Sequence, residues 1–258
     1  MLRFRSLGSG SAGNATVVEA TDGRHTSRLL VDCGFTLKQL DLRLARAGLT
    51  AEDIDAVFIT HEHADHIGSA LGFSLRQRLP VWMSQGTFAA VGSPDFDGRL
   101  QIAADGNRIN IGALQLHPFT VPHDAREPLQ LHCTDGDRTL GLLTDLGHAS
   151  AHVVHCLRLC DALLLECNHE PSLLAASSYH PALKRRVAGD YGHLSNAAAA
   201  ALAQAVMHAG LSTLVAAHLS AKNNRPDLAR AALALSVGWQ AADIGVADQV
   251  SGTGWLQV

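Results

Sequence analysis

The 258-residue chain lacks an apolar run able to cross a bilayer. Its most apolar stretch, NAAAAALAQAVMHAG at 196–210, is interrupted by Gln204 and His208 and falls short of the roughly 20 apolar residues a span needs. The opening MLRFRSLGSG has no apolar core of the signal-peptide kind. No segment is low-complexity enough to read as a linker or tail. A disulfide framework is not expected either, because five cysteines, an odd number without a secretion signal, read as reduced thiols. The chain also has no excess of positive charge. At net −4, it would hold a nucleic acid by a local basic patch, not by its whole surface. These absences predict one domain spanning residues 1–258, cytoplasmic, with no membrane partner.

A helix is missing where a tempting motif needs one. Residues 8–14, GSGSAGN, carry the spacing G-x-G-x-x-G, and Asp32 follows nineteen residues after the last glycine. A dinucleotide fingerprint must open a helix whose N-terminus holds the pyrophosphate. Here the next residues are NATVVEATDGR, β-branched and then a turn. That is a strand, so no nicotinamide cofactor is expected. The glycine loop has two readings left: an anion cradle of free N–H groups using Ser9, Ser11 and Asn14, or a tight turn with no ligand.

Short apolar runs alternate with helical patterns throughout. Strands are expected at Leu2–Ser6, Ala15–Ala20, Ser27–Val31, Ile54–Thr60, Val81–Ser84, Leu100–Ala103 and Ile109–Val121. Further strands are expected at Leu129–Cys133, Thr139–Thr144, Ala162–Glu166 and Thr213–Ala217, with TDGD as a hairpin turn. Helices are expected at Leu37–Ala47 (capped by Thr36), Ile67–Leu79, Ala149–Leu159, Asn196–His208 (capped by Ser195) and Asp227–Ser236. No internal repeat is visible. Sheets covered by helices should result.

What the chain has in quantity is histidine, fifteen in all. The stretch FITHEHADHIG, residues 58–68, concentrates them. His61 and His63 are two apart after a strand, so an extended backbone points both rings the same way. Asp65 and His66 follow where the chain turns into a helix. Downstream, FTVPHD, GLLTDLG and LVAAHLS each end an apolar run on a ligand-type residue: His123, Asp145 and His218. One rim of a sheet sandwich would collect all seven, and seven ligands suit two metals better than one.

H-x-H-x-D-H with downstream His, Asp and His resembles the metallo-β-lactamase superfamily, an α/β fold built as a four-layered αβ/βα sandwich. Within it, GSGSAGNAT, DCG, THEHADHIG, VPHDA, TDLG, LLLECNHE, GHLSN and HLSAKNN resemble the bacterial YycJ/WalJ group, over nearly the whole chain. The resemblance implies that His61, His63 and His123 bind one metal and Asp65, His66 and His218 another, with Asp145 bridging. It also implies that Asp32 orients a ligand histidine, though Asp32 reads equally as a strand-end cap. Nitrogen and oxygen ligation suits zinc first, with manganese and iron as alternatives. Two cations about 3.5–4 Å apart share a water and lower its pKa, and Asp65 is placed to take its proton.

The group resemblance implies a DNA (or RNA) phosphodiesterase. The alternative is a small-molecule hydrolase of the same fold, taking a thioester, lactone or cyclic phosphodiester. Substrate contacts are expected from Ser195 and Asn196 in GHLSN and from Ser220, Asn223 and Asn224 in HLSAKNN. Lys184, Arg185 and Arg186 read either as a phosphate patch or as a solvated face. Lys222 falls one place later than the group pattern. His193, beside Gly192 and just ahead of a capped helix, is a candidate catalytic residue outside the ligand set. Glu166, His169 and Glu170 end a strand near the same rim, as positioning residues or as a plain loop. A second cluster, His148, His152, Cys156 and Cys160, recurs every four residues on one expected helix face, where cysteines are ordinarily buried hydrophobes.

Overall fold

The computed structural model describes residues 1–258. Its first sheet opens as an antiparallel meander of β1 (Leu2–Gly8), β2 (Ala15–Thr21) and β3 (Thr26–Val31). Three short strands extend it in parallel: β4 (Ala56–Phe58), β5 (Val81–Met83) and β6 (Leu100–Ile102). Between these strands run α1 (Leu37–Arg46), α2 (Ala64–Ile67), α3 (Ala70–Gln77) and α4 (Gln85–Ala90).

The second sheet repeats the plan. β7 (Ile109–Ile111), β8 (Leu114–Thr120), β9 (Leu129–Thr134) and β10 (Thr139–Leu143) are antiparallel. β11 (Ala162–Glu166), β12 (Thr213–Ala217) and β13 (Gly245–Val246) then run parallel. Its helices are α5 (Ala151–Leu157), α6 (Pro171–Ala176), α7 (Pro181–Val187), α8 (Asn196–Val206) and α9 (Pro226–Val237). Last, β14 (Leu256–Gln257) returns to pair with β1, completing two seven-stranded sheets. The halves share a topology that their sequences do not display.

Burial explains the layering. Phe4, Val18, Leu29 and Phe58 of the first sheet pack on Leu116, Leu131, Leu142 and Leu164 of the second. The opposite faces are covered by helices: Leu40, Leu44 and Phe73 lie against Val17, Leu30 and Val57. On the other side Val153, Leu157, Leu202 and Leu233 lie against Leu163, Leu165 and Leu214. Central strands are thus buried on both faces, which is why β11 (ALLLE) and β12 (TLVAA) read as continuous apolar runs instead of alternating. The four-layered αβ/βα sandwich is the expected architecture. No helix is long and apolar enough to cross a membrane, and all five cysteines are free thiols.

Several element boundaries differ from expectation for local reasons. The helix expected over Ile67–Leu79 is two helices, broken at Gly68 (φ 31°), where an added Cβ would sit 2.5 Å from Cys33 O. The strand expected over Ile109–Val121 is two strands joined by a turn at Gly112 (φ 56°). The expected strand Ile54–Thr60 pairs only over Ala56–Phe58. The helix expected over Ala149–Leu159 is Ala151–Leu157, capped by Ser150. The four-residue stripe of His148, His152, Cys156 and Cys160 therefore does not lie on one helix.

Candidate metal centre

Strand ends at one rim deliver the candidate ligands. Asp32 follows β3, Asp145 lies two residues past β10, and His218 follows β12. All three adopt the left-handed backbone region, with φ of 61°, 60° and 53°. Asp and His tolerate that region better than most residues, at a cost of about 1–3 kcal/mol each. The reversal turns each side chain inward at the point where its strand stops. The loop of Gly34 then packs directly on the HADH turn: an added Cβ there would meet Asp65 O at 1.8 Å. Only glycine fits that crossing.

The seven predicted ligands converge. His61 Nε2 lies 3.0 Å from His63 Nδ1, and His63 Nδ1 lies 3.3 Å from His123 Nε2. One proton cannot satisfy three mutually facing nitrogens, whereas one cation can. Metal–nitrogen bonds of 2.0–2.1 Å in a tetrahedron set ligands about 3.3 Å apart, so the spacing fits. Beside this triad, Asp65 Oδ2 lies 3.7 Å from both His66 Nε2 and His218 Nε2. Asp145 stands between the groups, with Oδ2 2.9 Å from His66 Nε2, and its donors also fall in one cluster with His61 and His66. His218 Nε2 is buried without a hydrogen-bond partner. Buried polar atoms are otherwise almost always paired, so this orphan marks a place a cation would fill.

Four of the five candidate ligand rings are held at the other nitrogen; His63 Nε2 comes no nearer than 3.9 Å to Asp124. Asp32 Oδ2 lies 2.7 Å from His66 Nδ1, while Asp32 Oδ1 accepts from Thr60 N and Oγ1 at 2.9 Å. Asp32 is therefore placed to orient His66, one of the two roles foreseen for it. Thr60 Oγ1 lies 3.0 Å from His61 Nδ1, and His123 Nδ1 donates to Gly192 O at 3.0 Å. Glu166, fully buried, does most: Oε1 accepts from His193 Nδ1 (2.8 Å) and His218 Nδ1 (3.0 Å), and Oε2 from the Leu146 and Leu194 amides at 3.0 Å. Such tethers fix tautomer and ring direction.

The electrostatics follow from four carboxylates in one small volume. Burial opposes charge on the rings, but Asp145 and Asp32 outweigh it at His66 and push it up to about 10. Burial likewise opposes charge on His193, which Glu166 and Asp145 push up to about 11. Burial raises the Glu166 carboxyl, yet His193 and His218 pull it down to about 2. Burial also raises Asp145, and His218 and His66 hold it well below the ordinary carboxylate range. His61, buried and surrounded by rings, stays well below the usual histidine range. The site demands positive charge.

The expected substrate residues divide. Ser9 and Asn14 are buried and spent internally. Asn14 Oδ1 accepts from Gly10 N, its amide nitrogen lies within 3.4 Å of Asp65 and His66, and Ser9 Oγ accepts from His218 N. The Ser9, Gly10, Ala12, Gly13 and Asn14 amides all have protein acceptors. The glycine loop is thus a brace beneath the site and not an anion cradle. Asn196 and Asn224 exchange hydrogen bonds at 2.8 and 2.9 Å, and Ser220 Oγ caps Asn223 N. These amides clamp the start of α8 to the loop after β12, with Asn223 only 1% exposed. Ser11 and Ser195 alone line cavities beside His193.

The basic run is also divided. Lys184 Nζ donates to Ala175 O, and Arg186 pairs with Asp124 at 2.5 Å. Arg185 has no such partner and is exposed. Lys222 Nζ lies over the Tyr179 ring, 5.6 Å from its centroid. Asp124 escaped the sequence reading, although it directly follows His123; it lies 3.4 Å from His123 Nε2 and holds Arg186 at the rim. Of the second cluster, His152 Nε2 lies 3.9 Å from Cys156 Sγ and 2.9 Å from Asp105 Oδ2, a residue outside it.

Fold and donor set together define a metal-dependent hydrolase. The chain belongs to the metallo-beta-lactamase superfamily, whose profile matches residues 8–165. It is 30% identical over 256 residues to the exodeoxyribonuclease YycJ of Bacillus anthracis, covering 98% of this chain and 95% of that one. It is also 30% identical over 249 residues to the exodeoxyribonuclease WalJ of Streptococcus pneumoniae, covering 95% and 90%. Among solved structures, the metallo-beta-lactamase fold protein YhfI of Bacillus subtilis superposes with a TM-score of 0.75 over 99% of this chain and 98% of that one. At 18% identity this is a likeness of fold.

Proposed function

We propose that the protein is a phosphodiesterase acting on nucleic acid, DNA first, with two divalent cations as cofactors. His61, His63 and His123 would hold one cation, Asp65, His66 and His218 the other, with Asp145 within reach of both. The observation that carries this reading is the convergence of the two donor triads on Asp145, with His193 beside them. The near-full-length likeness to exodeoxyribonucleases supports the polymer substrate. When bound, such a cation pair, zinc for this donor set, lowers the pKa of a shared water and neutralises charge on a phosphoryl oxygen.

The chain's own residues do the rest. Asp65, whose carboxylate is 26% exposed at the open side of the cluster, accepts the proton of the attacking water. His193 is turned by its Nδ1–H···Glu166 bond, leaving Nε2 for the substrate. Glu166 and Asp145, facing the ring, favour its protonated form. In that form Nε2–H donates to the leaving oxygen or to a phosphate oxygen. Asp32, Thr60 and Glu166 spare the site reorganisation by fixing rings in advance.

Incubating zinc- or manganese-loaded protein with labelled DNA, labelled RNA, a thioester and a lactone tests the assignment. Release of nucleotides from DNA or RNA is expected. Turnover of the thioester or lactone alone would replace the reading with a small-molecule hydrolase.

A further inference from the structure

A cavity of about 630 Å³ opens beside the donor cluster between α6, α7 and the start of α8. Pro171, Leu174, Ala175 and Ala198 give it an apolar lining, and His169 and His193 give it two imidazole walls. His193 belongs to both places: its Nδ1 lies 3.2 Å from Asp145 Oδ1 while its ring lines the cavity. A group attached to a phosphate at the cluster therefore has this cavity as its neighbour. His169 is 3% exposed, and its Nδ1 has no partner in the protein. Arg185 stands on the rim, and Lys184 ties α7 to α6 across it through Ala175 O.

We propose that this cavity holds the base of one unpaired nucleotide next to the scissile phosphodiester. The inference rests on the nucleic-acid reading and deepens it. The volume lies in the range of small-molecule sites, roughly 300–1,000 Å³, which suits one nucleoside and excludes a duplex end. An apolar floor flanked by imidazoles suits a flat ring that stacks and hydrogen-bonds at its edge. Arg185 meets the next phosphate. A base that enters has left its stack and its pairing partner, a cost borne by a duplex and nearly absent from a single strand. Single-stranded ends should therefore be cleaved faster than blunt duplex ends, by about tenfold or more.

Two esters with one leaving group isolate the nucleoside: thymidine 5′-(p-nitrophenyl) phosphate and methyl p-nitrophenyl phosphate. With the zinc-loaded full chain, the nucleoside should raise kcat/KM by roughly tenfold or more, the range of base-stacking contributions. Ala188→Phe, at an exposed lining position with negative φ (−87°), fills the cavity and should bring the ratio toward unity. Ala175→Phe, from the exposed opposite wall, should do the same, so that a folding defect in one variant does not decide the matter. A wild-type ratio near unity, or a ratio that survives both variants, overturns the pocket while leaving a phosphodiesterase. Hydrolysis of neither ester overturns the phosphodiesterase reading and the pocket with it.

Discussion

Replacing Glu166 with glutamine changes one atom and should weaken the hold on one of the two proposed cations. The carboxylate accepts four hydrogen bonds in two pairs, His193 and His218 Nδ1 on one oxygen, Leu146 and Leu194 amides on the other. Glutamine has one carbonyl and one NH2, so it can accept at only one edge. Backbone N–H groups cannot change sign, whereas imidazoles can change tautomer. The carbonyl therefore stays with Leu146 and Leu194, and the NH2 donates to the ring nitrogens. That drives the proton of His218 to Nε2, the atom facing Asp65, and removes it as a donor. Loss of such an orienting partner lowers metal affinity about 10–100-fold, equivalent to about 1.4–2.8 kcal/mol. Competition of Glu166→Gln against a chromophoric chelator should show one weakened zinc and one unchanged zinc at His61, His63 and His123. Two zinc affinities equal to wild type would refute the reasoning.

Three further outcomes follow from other parts of the structure. His193→Ala should keep the bound metals and the fold yet slow turnover of an unactivated phosphodiester by about 10²–10⁴-fold, with a much smaller loss on a nitrophenyl ester; equal losses would assign His193 to phosphate binding instead. Arg185→Glu should reduce the salt dependence of DNA binding by about 0.7–0.9 in log–log slope, because Arg185 is the uncommitted cation of its run; an unchanged slope would make it a solvated residue. Away from the metal centre, His132 is pulled down to about 4 by burial and by the stacked His117, so between its ordinary 6.5 and 4 the unfolded chain binds the extra proton. Stability is therefore lost as pH falls through that window, by at most about 3 kcal/mol from this group, and His132→Phe should flatten the wild-type fall in Tm over the same range; an unaltered pH profile would count against it.

The convergence of the candidate metal ligands was legible in the sequence because they lie at strand ends. His61, His63, Asp65 and His66 are local, and His123, Asp145 and His218 each terminate an apolar run. What the polar side chains at the rim bind was not legible. Asn14, Asn196 and Asn224 carry the same chemistry whether they meet a phosphate or each other, and only the chain's crossing near Gly34 and the start of α8 turns them inward. Glu166 looked like any strand-end acid, because its four donors come from three separate loops. The α6 and α7 helices, which wall the large cavity, are six and seven residues long and led by proline, too short to show a period. Strands β13 and β14 have two residues each and exist only by pairing with longer neighbours.

Metal content per chain, measured by elemental analysis after reconstitution and removal of free ion, tests the central claim most directly. Wild-type protein should carry close to two zinc or manganese ions. Asp145→Ala should lose occupancy at both positions together with activity, since Asp145 clusters with His61 of one proposed triad and with His66 and His218 of the other. Wild-type protein that retains no ion after reconstitution with zinc or manganese, or an Asp145→Ala variant that retains two, would contradict the account.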